Sequence, residues 1–237
     1  MGIKKQMKKI IFGAKADADT YIEHLRSIGV RIGERTMIYE PRFTLIDETR
    51  PCLLEIGNDV KITRGVTILT HGYDWSVLAG LHNVVLGSAG KVTIGDNVFI
   101  GMNTTILKGV TVGKNVIIGA GSLVNKDIPD NCVAAGNPAR VIMSIDDYYE
   151  SRKKAQLGEA LVLYENYVKA FGKEPPIEVF DEFSFLFMRK EDELPENFKR
   201  QMSHHGTFKE TYENLISNAP MFDGFEEFLK YANKNTK

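Results

Sequence analysis

A six-residue period between Val92 and Ile128 constrains the fold of this chain more than any other feature. Read from Ile94, an aliphatic residue opens each successive block of six, and a second, mostly small residue follows four places later. The first set is Ile94, Ile100, Ile106, Val112, Ile118 and Val124, and the second set is Val98, Thr104, Val110, Val116, Ser122 and Ile128. This period fits neither the 3.6-residue turn of a helix nor the two-residue alternation of a single amphipathic strand. It is typical of a β-helix, in which each side of a coil points two side chains inward and successive coils stack.

Glycine and asparagine recur between the inward positions of the period. We expect these residues to take positive φ, because a chain that turns a corner every six residues needs that conformation and they adopt it at low cost. They are Gly95, Asn97, Gly101, Asn103, Gly113, Asn115, Gly119 and Gly121.

The blocks that open with an aliphatic residue and glycine, followed by IGAGSLVNKDIPDNCVAAGNPARVI, resemble the hexapeptide-repeat acyltransferases. The likeness is to the galactoside, maltose and xenobiotic acetyltransferases and to the capsule or O-antigen O-acetyltransferases, and it covers about residues 19–143. It implies a mainly β chain built on a left-handed parallel β-helix. It also implies homotrimers in which acetyl-CoA binds along a groove between neighbouring subunits.

The period also predicts the domain organisation. Residues 1–29 are predicted to form an N-terminal cap with a helix from Asp19 to Ile28, and residues 30–143 the β-helix. Ile68 and Ile94 are 26 residues apart, which is not a multiple of six, so residues 71–91 are predicted to leave the coil as a loop. Residues 144–237 are predicted to be a helical extension, with its last helix starting at a capping box of Asp223 and Glu226.

Composition excludes several classes of function. The 237 residues carry 30 basic and 31 acidic side chains, a net charge of −1, so no overall positive field favours nucleic acid. No apolar run is long enough for a membrane span or a signal peptide. Two widely separated cysteines, Cys52 and Cys132, favour reduced thiols and a cytoplasmic protein.

Acetyl transfer from a thioester needs a base for the acceptor proton and donors for the oxyanion. His71 ends a predicted strand and begins the loop, and the resemblance implies that this histidine is the general base. His82, inside the loop, is the rival candidate. No carboxylate can be assigned as the partner that orients His71, because Asp74 is too near in sequence. The resemblance further implies that the backbone amide of Met102 faces the thioester oxygen.

The resemblance also implies where acetyl-CoA and the acceptor bind. Backbone contacts to the pantetheine arm are expected at Ala120, and contacts to the adenine end at Asn125, Lys126 and Arg140. Lysine and arginine suit the phosphates of the donor. Tyr73, Asp74 and Trp75 follow the predicted base directly and are candidates for the acceptor site, since aromatic faces pack on sugar rings.

The predicted function is acetyl-CoA-dependent O-acetylation of a sugar or a cell-envelope saccharide, by direct transfer in a ternary complex. N-acetylation of an amino sugar or an aminated antibiotic needs the same groups and stays open. A non-catalytic scaffold would bind no coenzyme A. A γ-type carbonic anhydrase needs three zinc-binding histidines, and residues 91–143 contain none. His204 and His205 have no third ligand at a recognisable spacing, so no metal is expected.

Overall fold

The computed structural model describes residues 3–203 and 206–236 of the chain. It divides into two compact units, Met1–Tyr148 and Tyr149–Lys237. The predicted division at residues 29 and 143 stays a prediction.

The first unit is a β-helix whose short strands stack into three sheets. The strands are β1 Arg31–Ile32, β2 Met37–Ile38, β3 Leu45–Ile46, β4 Leu54–Ile56, β5 Lys61–Ile62, β6 Thr67–Ile68, β7 Val92–Ile94, β8 Val98–Ile100, β9 Thr105–Ile106, β10 Thr111–Val112, β11 Val116–Ile118, β12 Leu123–Val124, β13 Cys132–Ala135 and β14 Arg140–Ser144. The first sheet has the order β1-β4-β7-β10, the second β14-β13-β11-β8-β5-β2 and the third β12-β9-β6-β3. Each strand therefore pairs with a strand one coil away. The paired strands run parallel, except that β14 runs antiparallel to β13.

The core of the first unit is made by the side chains that the six-residue period predicted to point inward. All twelve are at most 5% exposed. Two of them, Thr104 and Ser122, are polar, and their hydroxyl groups donate hydrogen bonds to the same acceptor. Thr104 Oγ1 and Ser122 Oγ lie 3.2 and 2.6 Å from the Gly119 oxygen. Buried hydroxyls without such a partner would be destabilising.

At the corners of the coil, asparagine and glycine differ in backbone conformation, although we expected positive φ for both. Asn97, Asn103 and Asn115 do take positive φ, of 54 to 58°. Of the five glycines in the predicted set, only Gly121 does so. Gly101 is needed for a different reason, because a Cβ there would lie 2.5 Å from the Ala120 nitrogen of the next coil. The expectation of positive φ was therefore wrong for Gly95, Gly101, Gly113 and Gly119, which instead let neighbouring coils approach closely.

Two helices precede the coil, α1 Ile3–Phe12 and α2 Ala18–Ser27. Asp17 caps α2 by accepting a hydrogen bond from the Thr20 amide at 2.9 Å. Tyr21, Ile22 and Leu25 of α2 are buried in the same core as the coil. The predicted helix Asp19–Ile28 is thus present, one residue earlier at each end.

Residues 71–91 leave the coil, as the broken period indicated. The base of this loop is closed by two hydrogen bonds, from the Gly72 amide to the Ser88 oxygen and from the Gly90 amide to the Thr70 oxygen, both at 2.9 Å. The loop contains a helix that we did not predict, α3 Trp75–His82, which ends at Asn83 with a φ of 53°. No residue of α3 is buried.

The second unit is helical. Its elements are α4 Ile145–Phe171, a 3₁₀ segment Ile177–Leu186, α5 Glu196–Ser203, α6 Phe208–Ser217 and α7 Phe225–Asn235. Phe180, Phe187 and Phe228 are fully buried at its centre. The predicted capping box at Asp223 is wrong, because α7 starts two residues later and the Asp223 amide bonds to the carboxylate of Glu227.

Helices hold more residues of the described chain than strands do, because the second unit contains no strand. The mainly β prediction therefore applies to the first unit and is not confirmed for the whole chain. Within residues 3–203 and 206–236, no helix is both long and apolar enough to cross a bilayer.

Candidate active site

His71 lies where the chain leaves the third sheet, just after β6 and at the start of the loop. Its Nδ1 is 2.5 Å from Oδ2 of Asp47, and its side chain is only 11% exposed. Its other ring nitrogen, Nε2, makes no hydrogen bond to any described residue. An ionised carboxylate accepts, so Nδ1 carries the proton in the neutral ring and Nε2 is left free to take one.

Asp47 follows β3, whose Ile46 pairs in register with Ile68 of β6. This pairing places the carboxylate beside Thr70, whose amide and hydroxyl donate to Oδ2 at 3.1 and 2.5 Å. The amide and hydroxyl of Thr49 donate to Oδ1 at 3.0 and 2.7 Å. Burial raises the pKa of Asp47, but the hydrogen bonds from Thr70, Thr49 and His71 outweigh it and hold the pKa well below its usual range. Asp47 is therefore ionised and accepts the hydrogen bond from Nδ1 of His71.

Glu48 fixes the same segment from the opposite side. It accepts a hydrogen bond from the Tyr21 hydroxyl at 2.9 Å, and its other oxygen lies 3.0 Å from Nε2 of His24. Burial, together with Glu48, raises the pKa of Tyr21. Helix α2 thus anchors the stretch that carries the partner of His71.

An open pocket of about 420 Å³ lies beside His71. The ring of Tyr73 meets the imidazole edge-on at 5.2 Å, and Trp75 lies 5.9 Å from Tyr73. Asp74, the third predicted acceptor residue, does not line the pocket and does not contact His71; its carboxylate lies close to Gly72. The pocket is lined by Thr49, Arg50, His71, Tyr73 and Trp75.

Sequence reasoning missed Asp47, Thr49 and Arg50. The spacing of the repeat gives no signal for Asp47, because Ile46 of β3 pairs with Ile68 of β6, a spacing of 22 residues, whereas Asp47 and His71 are 24 residues apart. Asp47 follows Ile46 directly and His71 lies three residues beyond Ile68, so the two residues do not occupy equivalent positions of the coil.

Met102 and Ala120 share a different corner of the coil, between the second and third sheets. The Gly121 amide donates to the Met102 oxygen at 2.7 Å, which ties the two turns together. The amides of Met102 and Ala120 themselves donate to no backbone carbonyl among the described residues. Both residues are exposed at this corner.

The structure does not bring all of the predicted site residues together in one chain. Met102 lies next to Arg64 of the neighbouring coil, because the Asn103 amide donates to the Arg64 oxygen. His71 lies seven residues after Arg64 in the chain. That separation is on the order of 20 Å in an extended strand.

The predicted donor-binding residues are likewise divided between the corner before the third sheet, where its strands begin, and the corner after it, where they end. Arg140 pairs with Ala135 near the corner that holds Met102. Asn125 and Lys126 follow β12, at the end of the strands where His71 also lies. All three of these side chains are exposed. The donor-binding residues therefore do not form one groove within a single chain.

Among the described residues, the rival candidate His82 is not part of a second site. His82 ends α3, is exposed, and has no hydrogen-bond partner among the described residues. His204 and His205 lie outside the described residues. In the part of the chain that the structure describes, no three of His, Cys, Asp and Glu come together in a way that could hold a metal ion.

Comparison with known proteins agrees with the geometry of the first unit. The family model described as bacterial transferase hexapeptide (six repeats) matches residues 91–126. Protein CapG of Staphylococcus aureus is 42% identical over 131 residues, which are 53% of this chain and 72% of the relative. The chain belongs to the hexapeptide-repeat acetyltransferases. This confirms the predicted family and the predicted class of enzyme, an acyltransferase.

The share of the relative's own length that is matched differs among other acetyltransferases. The galactoside O-acetyltransferase of Escherichia coli (strain K12) is 41% identical over 108 residues, 44% of this chain and 49% of the relative. A solved maltose O-acetyltransferase from Clostridium difficile 630 is 32% identical, with a TM-score of 0.41, and the match covers 59% of this chain and 83% of that chain. This chain spans about half the length of several of the curated relatives that it matches.

Proposed function

We propose that the chain is an acetyl-CoA-dependent O-acetyltransferase that acts on a hydroxyl of a saccharide, with His71 as the general base. The observation that carries this proposal is the pair of His71 and Asp47 beside an open pocket. An ionised carboxylate on Nδ1 fixes the ring and stabilises the imidazolium that forms when Nε2 takes a proton. The aromatic rings of Tyr73 and Trp75 at the same pocket suit a sugar ring.

Acetyl-CoA would supply the activated acetyl group as a thioester. Nε2 of His71 takes the proton of the acceptor hydroxyl as its oxygen attacks the thioester carbonyl, and returns it to the departing sulfur. No covalent acyl-enzyme is needed for this direct transfer. The free amide of Met102 suits the developing oxyanion.

The residues proposed to hold the donor fit its chemistry. Lys126 and Arg140 are exposed, and neither pairs with a carboxylate in the described residues, so both are available to phosphates. The exposed side chain of Asn125 and the free amide of Ala120 suit the polar edge of adenine and the pantetheine amides.

A homotrimer would unite the two halves of the site. His71 and Met102 lie at opposite ends of the strands of one sheet. A groove with one wall from each of two neighbouring chains would therefore bring the base of one chain to the oxyanion donor of the other. We propose this assembly, with the left-handed winding typical of the family. Cytoplasmic localisation stays a prediction.

Titration calorimetry with coenzyme A tests the donor site, and an acceptor screen read by mass spectrometry tests the transfer. We expect saturable binding of coenzyme A and a gain of one acetyl group on a saccharide. A protein that binds no coenzyme A would favour a non-catalytic scaffold. Sedimentation that shows a fully active monomer would exclude the shared groove.

A further inference from the structure

We infer that the acceptor carries an anionic group, a carboxylate or a phosphate, and that Arg50 binds it. This inference rests on the proposed acetyl transfer to a saccharide and names the class of saccharide. The observation behind it is an arginine in the acceptor pocket whose charge is not neutralised by the described part of the chain.

Arg50 is close to the proposed base. Its Nη1 lies 3.5 Å from Thr49 Oγ1, and Nδ1 of His71 lies 3.3 Å from the same oxygen. The guanidinium nitrogen and the imidazole nitrogen are therefore no further apart than the sum of those two distances. A sugar with one hydroxyl at His71 would place a substituent of the same ring within reach of Arg50.

Arg50 forms no ion pair with Asp47 or with any other carboxylate of the described residues. The Asp47 carboxylate instead accepts hydrogen bonds at Oδ1 from Thr49 and at Oδ2 from Thr70 and His71. The described residues that line the pocket include no carboxylate.

Four other arginines of the first unit are paired with carboxylates: Arg26 with Glu34, Arg31 with Glu55, Arg35 with Asp59 and Arg64 with Glu40. Two are not, since Arg42 stacks on Phe12 and Phe43 and Arg140 donates to the Ala139 oxygen. Among the described residues, the guanidinium of Arg50 makes one hydrogen bond, to the Thr49 hydroxyl at 3.5 Å. An arginine fork that has no carboxylate of its own suits a carboxylate or phosphate on a ligand, which it can bind through two parallel hydrogen bonds.

The backbone holds Arg50 at this position. The Thr49 amide is tied to Asp47, and the Leu53 amide donates to the Arg50 oxygen at 2.9 Å, which begins the 3₁₀ turn Pro51–Leu53. Asp47 thus fixes both the base and the backbone segment that carries the exposed Arg50 side chain. A segment already held in place loses less conformational entropy when the ligand binds.

The test compares three matched acceptors: galactose, galacturonic acid and galactose 1-phosphate. Values of kcat/KM are measured with acetyl-CoA for the wild type, Arg50→Gln and Arg50→Lys. Arg42→Gln is the matched control, because it also removes one arginine charge, and Arg42 stacks on Phe12 and Phe43 outside the pocket. Binding of galacturonic acid without the donor is measured in parallel by saturation-transfer NMR.

We expect the wild type to prefer an acidic sugar to galactose by at least about tenfold. Arg50→Gln should remove that preference mainly by raising KM for the two acidic sugars, and should weaken binding of galacturonic acid. Arg50→Lys should keep more activity on the phosphate than on the carboxylate, because lysine cannot form the double hydrogen bond. Arg42→Gln should behave as the wild type.

A wild type that acetylates all three sugars equally would overturn the inference and leave the proposed function standing. The same holds if Arg50→Gln lowers activity equally on every acceptor, which would mean that Arg50 has a structural role. Binding of galacturonic acid that depends on Arg50, without any acetyl transfer, would instead support the anion site and overturn the proposed function.

Discussion

Replacing Asp47 by asparagine removes the charge behind the proposed base and keeps the size of the side chain. The carboxylate accepts five hydrogen bonds: two from Thr49, two from Thr70, and one from His71. An asparagine has one acceptor oxygen, and its NH₂ group must face donors at the other position. The less costly orientation keeps the oxygen toward Thr70 and His71 and loses both bonds from Thr49.

The magnitudes follow from that count. A hydrogen bond to a charged group contributes about 1.5–3 kcal/mol, so losing two bonds should lower the free energy of unfolding by about 3–6 kcal/mol, and weakening the other three adds to that loss. The imidazolium loses its counter-charge and its preferred tautomer, and the corresponding loss in a carboxylate–histidine–serine triad is about 10⁴ in kcat. We expect a fall of about 10²–10⁴ in turnover here, with the KM for acetyl-CoA unchanged.

Turnover with a saturating acceptor, and urea unfolding of the same samples, measure the two effects. Asp96→Asn is the control, because Asp96 also accepts from a backbone amide, that of Asn58 at 2.6 Å, but at another corner of the coil. It should lose stability without losing turnover. A folded Asp47→Asn protein with wild-type turnover would refute the role of Asp47.

Three further predictions follow from the same structure. In urea titrations, the difference in unfolding free energy between the wild type and Asp47→Asn should be constant above about pH 5 and shrink below about pH 4. The reason is that a carboxyl group with a lowered pKa contributes its full stability above the pKa of the unfolded chain and loses it as the pH falls toward the pKa of the folded protein. A difference that widens in acid would contradict this. Lys126→Ala should raise the KM for acetyl-CoA with little effect on kcat in steady-state kinetics, and an unchanged KM would remove Lys126 from the donor site. Gly101→Val should cost about 3 kcal/mol in urea unfolding because its Cβ meets the next coil, whereas Gly87→Val, which has open space around it, should cost much less.

The repeat predicted the core because its period records a geometric requirement. Each inward residue packs against the inward residue of the next coil, so the six-residue spacing in the sequence directly marks the side chains that form the core. The partner of His71 could not be predicted in this way, because Asp47 and His71 do not occupy equivalent positions of paired strands: Ile46 pairs with Ile68, and His71 lies three residues beyond Ile68. The course of the chain after β6 is what brings the imidazole to the carboxylate.

Other features depend on contacts that a six-residue pattern does not record. Asparagine and glycine look alike as corner residues, yet Asn103 is needed for its positive φ and Gly101 for the approach of the next coil. Helix α3 lies inside a segment that the broken period identified only as leaving the coil. The second unit has no repeat, so the sequence predicted only that it is helical and placed the start of its last helix two residues too early.

The most direct test of the account is the turnover of His71→Ala compared with His82→Ala, under saturating acetyl-CoA and with coenzyme A affinity measured on the same proteins. If His71 is the base, His71→Ala should lower kcat by about 10²–10⁴ and leave coenzyme A affinity unchanged, because none of the proposed donor-binding residues is altered. His82→Ala should resemble the wild type in both measurements. A folded His71→Ala protein that keeps its turnover, while His82→Ala loses it, would contradict the assignment of the base.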